Sequence, residues 1–236
     1  MTRAVAVNVG ANTNEPGARG PLREDGSFVY VPIPETEPTT EPVPTYRDLG
    51  LDVDLPEDAR DRPVHLDPSF AEYPCCDRYT YGDPHGVKAR PLLELSAGDR
   101  AYFYATLDAP DDPADWMAAD WGAYVVGEFT LARDPVTGDE YAALPDGESE
   151  AFAGNAHLKR DPFDAAVLLA GTGDSRLYDT AVPLSGARGV DANRAVTEFS
   201  EDSGRGPWWR RPLRFEAAGA AALRDWTEQE SFPPVR

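Results

Sequence analysis

The sequence predicts an α+β fold that is mostly β: a mixed or antiparallel sheet with a few short helices and one longer helix near the C-terminus. Three observations carry this. Twenty-three prolines and 20 glycines among 236 residues cut the chain into short elements, because proline removes a backbone donor and glycine favours turns. Several alternating or continuous apolar runs read as strands. One alanine- and glutamate-rich stretch, "FEAAGAAALRDWTEQE" (215–230), carries Leu223 and Trp226 at helical spacing. With 41% hydrophobic residues the chain can bury a core. It shows no internal repeat and no linker with a domain on each side, so a single domain over 1–236 is expected.

In chain order, "AVAVNVGA" (4–11) reads as a buried first strand, followed by the polar loop "NTNEPGARGPLREDG". "SFVYVPIP" (27–34) reads as a second strand closed by Pro32 and Pro34. Residues 35–64, rich in Pro, Thr, Glu and Asp, read as a long wrapping loop broken by the turn "YRDLGL". "HGVKARPLLELSAGD" suggests a short helix or turn, and "RAYFYATL" (100–107) and "WGAYVVGEFTLA" (121–132) two antiparallel strands around an insertion. "DGESEAFAGNAHLKR" holds a brief helical segment ending near Gly154. "DAAVLLAGTG" (164–173) reads as a central strand, followed by "SRLYDTAVPLS" and then the last helix.

The formal charge is −20, from 42 acidic and 22 basic residues, and only Lys88 and Lys159 are lysines. A carboxylate-rich surface nearly without lysine suits a halophilic setting in which salt screens self-repulsion. It directs attention to any local basic patch. Cys75 and Cys76 are adjacent, with no C-x-x-C spacing, and read as two reduced thiols. No apolar run is long enough for a signal peptide or a membrane span, so a cytoplasmic protein is expected.

Several short phrases occur in a telling order: "DGSFVYVPIPE", "YRDLG", "HLDPSF", "YGD", "LSAGDRAYFYATL", "YVVGEFTL", "NAHLKR" and "LLAGTGDSRLYDTAVPLS". In this order the chain resembles the nucleotide modification associated domain proteins, most closely their third type, from about residue 4 to about residue 215. The resemblance implies a domain that works in DNA base hypermodification, binding or acting on a modified base or nucleotide, with partner modification enzymes. A second likeness, carried by "GDRAYFYATLDA" and "YVVGEFTLA", is to PUA-like barrels that bind bases, ASCH and EVE among them. That likeness concerns fold alone.

His65 and Asp67 in "VHLDPSF" sit two apart and project to one side of an extended segment, so an imidazole and a carboxylate can share one substrate atom, or one metal. The alternative is that Asp67, before Pro68, forms a turn or cap. "GNAHLKRD" gathers Asn155, His157, Lys159 and Arg160, donors suited to a phosphate or a base edge, or else a solvated loop. His65, Asp67 and His157 are the catalytic candidates. For nucleotide binding the candidates are Asn155, Lys159 and Arg160, with Asn8, Asn12 and Arg19 near the first loop. Ser175 and Arg176 in the glycine-spaced turn "AGTGDSR" join them, although that turn lacks the lysine of a P-loop. Trp208, Arg210 and Arg211 in "RGPWWRRPLRF" complete the set, because single strands are commonly held by aromatic platforms flanked by arginines.

With three histidines and no useful cysteine spacing, no metal site is expected, and the sequence names no cofactor. Zinc-protease, nucleophile-elbow and dinucleotide signatures are absent. Three readings remain: a factor in nucleotide modification, a non-catalytic reader of modified nucleic acid, or a structural protein without a nucleotide ligand.

Overall fold

The computed structural model describes residues 2–229. Its strands are β1 (Ala4–Asn8), β2 (Gly20–Pro21), β3 (Thr80–Asp83), β4 (Arg100–Asp108), β5 (Trp121–Thr130), β6 (Val167–Ala170), β7 (Arg176–Pro183) and β8 (Leu213–Phe215). The α-helices are α1 (Tyr46–Leu49), α2 (Gly86–Leu92), α3 (Gly138–Ala142), α4 (Asp146–Ser149), α5 (Arg194–Thr197) and α6 (Ala217–Thr227). The helix expected to reach residue 230 ends at Thr227, and residue 230 itself lies outside the described residues.

A mixed six-stranded sheet runs in the order β7-β5-β4-β1-β8, with the short β2 parallel to the far end of β4. β1 is parallel to β4; the β4–β5, β5–β7 and β1–β8 pairs are antiparallel. β3 and β6 form a second, antiparallel two-stranded sheet. The fold is α+β and mostly β, as the sequence indicates. The barrel alternative is corrected: the larger sheet stays open, ending at β7 on one side and β8 on the other.

Alternation along β1 and β4 builds two apolar layers, since successive side chains of a strand point to opposite faces. Val5, Val7, Ala101, Phe103 and Leu107 face one layer, with Phe70, Tyr73, Tyr81 and Leu92. Ala4, Ala6, Tyr102 and Tyr104 face the other, with Trp208, Leu213, Phe215 and Leu223. β6 is buried on both sides: Val167 and Leu169 join the first layer, while Leu168 and Ala170 pack with Val136 and Phe152. That double burial explains its unbroken apolar run.

Two expected strands turn out differently. Residues 27–34 form only isolated bridges, at Phe28 and Pro34, because Pro32 and Pro34 have no N–H for a ladder. The run 164–173 supplies β6, which pairs with β3 and lies outside the larger sheet. The segment 35–64 wraps the first layer and buries Tyr46, Leu49, Leu55, Ala59 and Val64. Its turn "YRDLGL" becomes α1, with a capping box between Thr45 and Asp48 and a left-handed Gly50 at its end. The Tyr46 hydroxyl then donates to the Pro32 carbonyl at 2.7 Å and fastens the loop to the preceding segment. No helix among the described residues is long and apolar enough to cross a membrane.

Candidate functional site

The wrapping segment, β3 and the turn before β6 meet over a cleft of about 460 Å³. Its lining includes all three histidines, His65, His85 and His157, together with Asp67, Arg160 and Lys88.

Each central side chain is fixed by local structure. Asn155 caps a 3₁₀ turn (Ala156–Lys159), its Oδ1 accepting the His157 N–H at 3.0 Å. Its Nδ2 donates to Asp67 Oδ1, also at 3.0 Å. The Gly82 N–H, on β3, donates to both Asp67 oxygens at 3.0 Å. Glycine is required there because a Cβ would lie 2.6 Å from His157 Cδ2 and 3.1 Å from Asn155 Oδ1.

The two histidines meet edge to face across the cleft floor, ring centroids 4.6 Å apart. Their Nε2 atoms are 3.3 Å apart. Asp67 Oδ2 lies 3.4 Å from the His157 Nε2 and 4.0 Å from the His65 Nε2. Behind them, the His65 Nδ1–H donates to Glu35 Oε2 at 2.6 Å and the His157 Nδ1–H to Asp164 Oδ1 at 2.7 Å. Arg160 ties these two carboxylates together, its Nη2 donating to Glu35 Oε1 at 2.9 Å and its Nη1 to Asp164 Oδ2 at 2.7 Å.

Electrostatics follow from these contacts. Burial pushes the Glu35 carboxyl up, but hydrogen bonds from His65 and Arg160 outweigh it and hold the pKa at about 2. Burial likewise opposes ionisation of Asp164, and His157 and Arg160 bring it below the usual range. For His157 burial disfavours the cation, yet Asp67 and Asp164 raise its pKa above the ordinary imidazole value. On the cleft wall, Lys88 Nζ stands 3.3 Å from Asp83 Oδ2, and Asp83 Oδ1 accepts the His85 N–H at 2.7 Å.

His65, Asp67, Asn155, His157 and Arg160 are thus brought together, and Asn8 and Asn12 line the same cleft. Asn8 Nδ2 lies 3.4 Å from the Tyr104 carbonyl, and Asn12 Oδ1 accepts the Asn14 N–H at 2.8 Å. The other candidates lie elsewhere. Lys159 pairs with Glu41 at 3.5 Å. Arg19 donates to Asp108 at 2.9 Å and stacks 4.2 Å over Trp121. Ser175 Oγ accepts the Thr130 N–H at 3.2 Å, and Arg176 pairs with Glu128, also at 3.2 Å.

The arginine-tryptophan segment is corrected most. It forms a 3₁₀ turn (Trp208–Arg210) before β8. Trp208 is 1% exposed in the layer on the far side of the sheet, its Nε1–H donating to the Val190 carbonyl at 2.7 Å. It therefore has no face to offer a base. Arg211 is forked onto Asp202, with both contacts at 2.8 Å, and exposed Arg210 lies next to it in sequence.

Glu35, Gly82, Asp164 and the cleft-wall residues escaped sequence reasoning. Glu35 and Asp164 are two carboxylates among 42 acidic residues, and the only local hint was Asp164, four positions after Arg160. His65, Asp67 and His157 each offer one potential ligand atom, all within 4.8 Å of one another.

No curated protein and no solved structure matches the chain. The family model described as nucleotide modification associated domain 3 matches residues 3–225, a span that holds every residue of this cleft. As the order of its phrases implied, the chain belongs to the nucleotide modification associated domain 3 family.

Proposed function

We propose that the chain takes part in nucleotide modification by binding a base or nucleotide in the cleft and acting on it beside His65, Asp67 and His157. The observation that carries this reading is the convergence of all three histidines on one cleft of ligand size. Membership of a family described as nucleotide modification associated supports a nucleotide as the substrate class. Lys88 offers an ammonium at the wall for a phosphate oxygen, and Asn8 and Asn12 offer amides for a base edge. The lining favours an acting domain over a reader. A reader of modified bases relies on exposed aromatic faces, whereas Tyr81 of this lining is 2% exposed and donates its hydroxyl to Asp83 at 3.1 Å.

The test is mass spectrometry of nucleosides digested from DNA and RNA, with free nucleotides, from cells with and without this gene. A modified nucleoside lost in the deletion, and not restored by an Asp67→Asn copy, is the expected result. Restoration by that copy would make the domain a reader. An unchanged profile in all three pools would reject the role in modification.

A further inference from the structure

The floor of the cleft orients both rings. The 2.6 Å contact with Glu35 occupies Nδ1 of His65, and the 2.7 Å contact with Asp164 occupies Nδ1 of His157. The two Nε2 atoms are left facing each other at 3.3 Å. Asp67 Oδ2 completes the group at 3.4 and 4.0 Å. Three potential ligand atoms therefore converge on one point, where a proton or a metal ion can join them.

We infer that His65 Nε2, His157 Nε2 and Asp67 bind one divalent first-row transition-metal ion at the floor of the cleft. Metal–ligand distances of about 2.0–2.2 Å give ligand–ligand edges of about 3.3–3.6 Å in tetrahedral geometry and about 2.8–3.1 Å in octahedral geometry. The 3.3 and 3.4 Å separations match tetrahedral edges, and the 4.0 Å one needs a turn of the His65 ring to close it. Two imidazoles and one carboxylate suit zinc or iron(II), whereas calcium and magnesium favour all-oxygen sites. Glu35 and Asp164 behind the rings are the carboxylate partners that orient metal-binding histidines, and Arg160 clamps both. Three protein ligands leave coordination positions on the cleft side, where a bound ion polarises a water or substrate oxygen.

The test uses the full chain, stripped with a chelator and titrated with Zn²⁺ by calorimetry and with Co²⁺ by visible absorption. The expected result is one ion per chain, a Co²⁺ ligand-field band and a melting temperature that rises with metal. Glu35→Gln and Asp164→Asn keep all three ligands and should weaken binding by about 10- to 100-fold. A His65→Ala, His157→Ala double variant should abolish it. Failure of the wild-type chain to take up Zn²⁺, Co²⁺, Mn²⁺ or Fe²⁺, which needs no variant to fold, would overturn the assignment; so would undiminished uptake by the double variant. Uptake requires no nucleotide, so this assignment and the nucleotide reading stand or fall separately.

Discussion

Arg160 links both histidines through their carboxylate partners. Its guanidinium is forked onto Glu35, with contacts of 2.9 and 3.1 Å, and reaches Asp164 at 2.7 Å. Arg160→Ala leaves Glu35 buried without its cation and should cost about 3–5 kcal/mol in urea denaturation. Arg160→Lys should recover little of this, because an ammonium cannot reproduce the fork. The two thiols make a separate residue-scale prediction. Cys75 is exposed, whereas burial raises the Cys76 pKa, so mass spectrometry after brief alkylation should find the label on Cys75 first. Equal labelling would show that Cys76 is more accessible than its packing indicates. At this scale the sequence made His65 and Asp67 legible as a pair two positions apart, and Asn155, His157 and Arg160 as one phrase. It could not join them, since His65 and His157 are 92 positions apart.

Among the elements, β3 decides how tightly the site is held. Its Gly82 hydrogen-bonds Asp67 through the backbone while admitting the His157 ring and Asn155. Gly82→Ala should therefore displace His157 and reduce Co²⁺ uptake, while circular dichroism stays native because β3 remains paired with β6. Uptake equal to wild type would mean that the ring has room to move. On the other face, Trp208 fills the layer between the sheet and the C-terminal helix, and Trp208→Ala should destabilise the fold by about 3–5 kcal/mol without altering metal uptake. β1, β4, β5 and the last helix were readable because their periodicity is local. The strand expected at 27–34 was misread because its apolar content outweighed the missing donors of Pro32 and Pro34. The place of β6 was hidden because a doubly buried strand reads alike in either sheet.

For the whole molecule, the charge of −20 sets the response to salt. Many arginines are tied into surface pairs, such as Arg47 with Asp61 at 2.7 Å and Arg214 with Glu94 at 2.8 Å. Such exposed pairs contribute little each, so the excess of carboxylates dominates. The melting temperature should be higher in molar KCl than in dilute buffer, because screening weakens self-repulsion over distances beyond the Debye length. A flat or falling dependence would show that the pairs already balance the surface.

By itself the sequence determined the α+β class, the strands β1, β4 and β5, the alternation that builds two apolar layers, and the family through the order of its phrases. These are written in short-range periodicity and turn chemistry, which act between near neighbours. Only the tertiary structure decided that His65, Asp67 and His157 share one point in space, that Glu35 and Asp164 stand behind them, and that Trp208 belongs to the core. Those outcomes depend on contacts between distant segments. In a chain with 42 acidic residues, the few carboxylates that matter look like all the others until the fold desolvates them and supplies their partners.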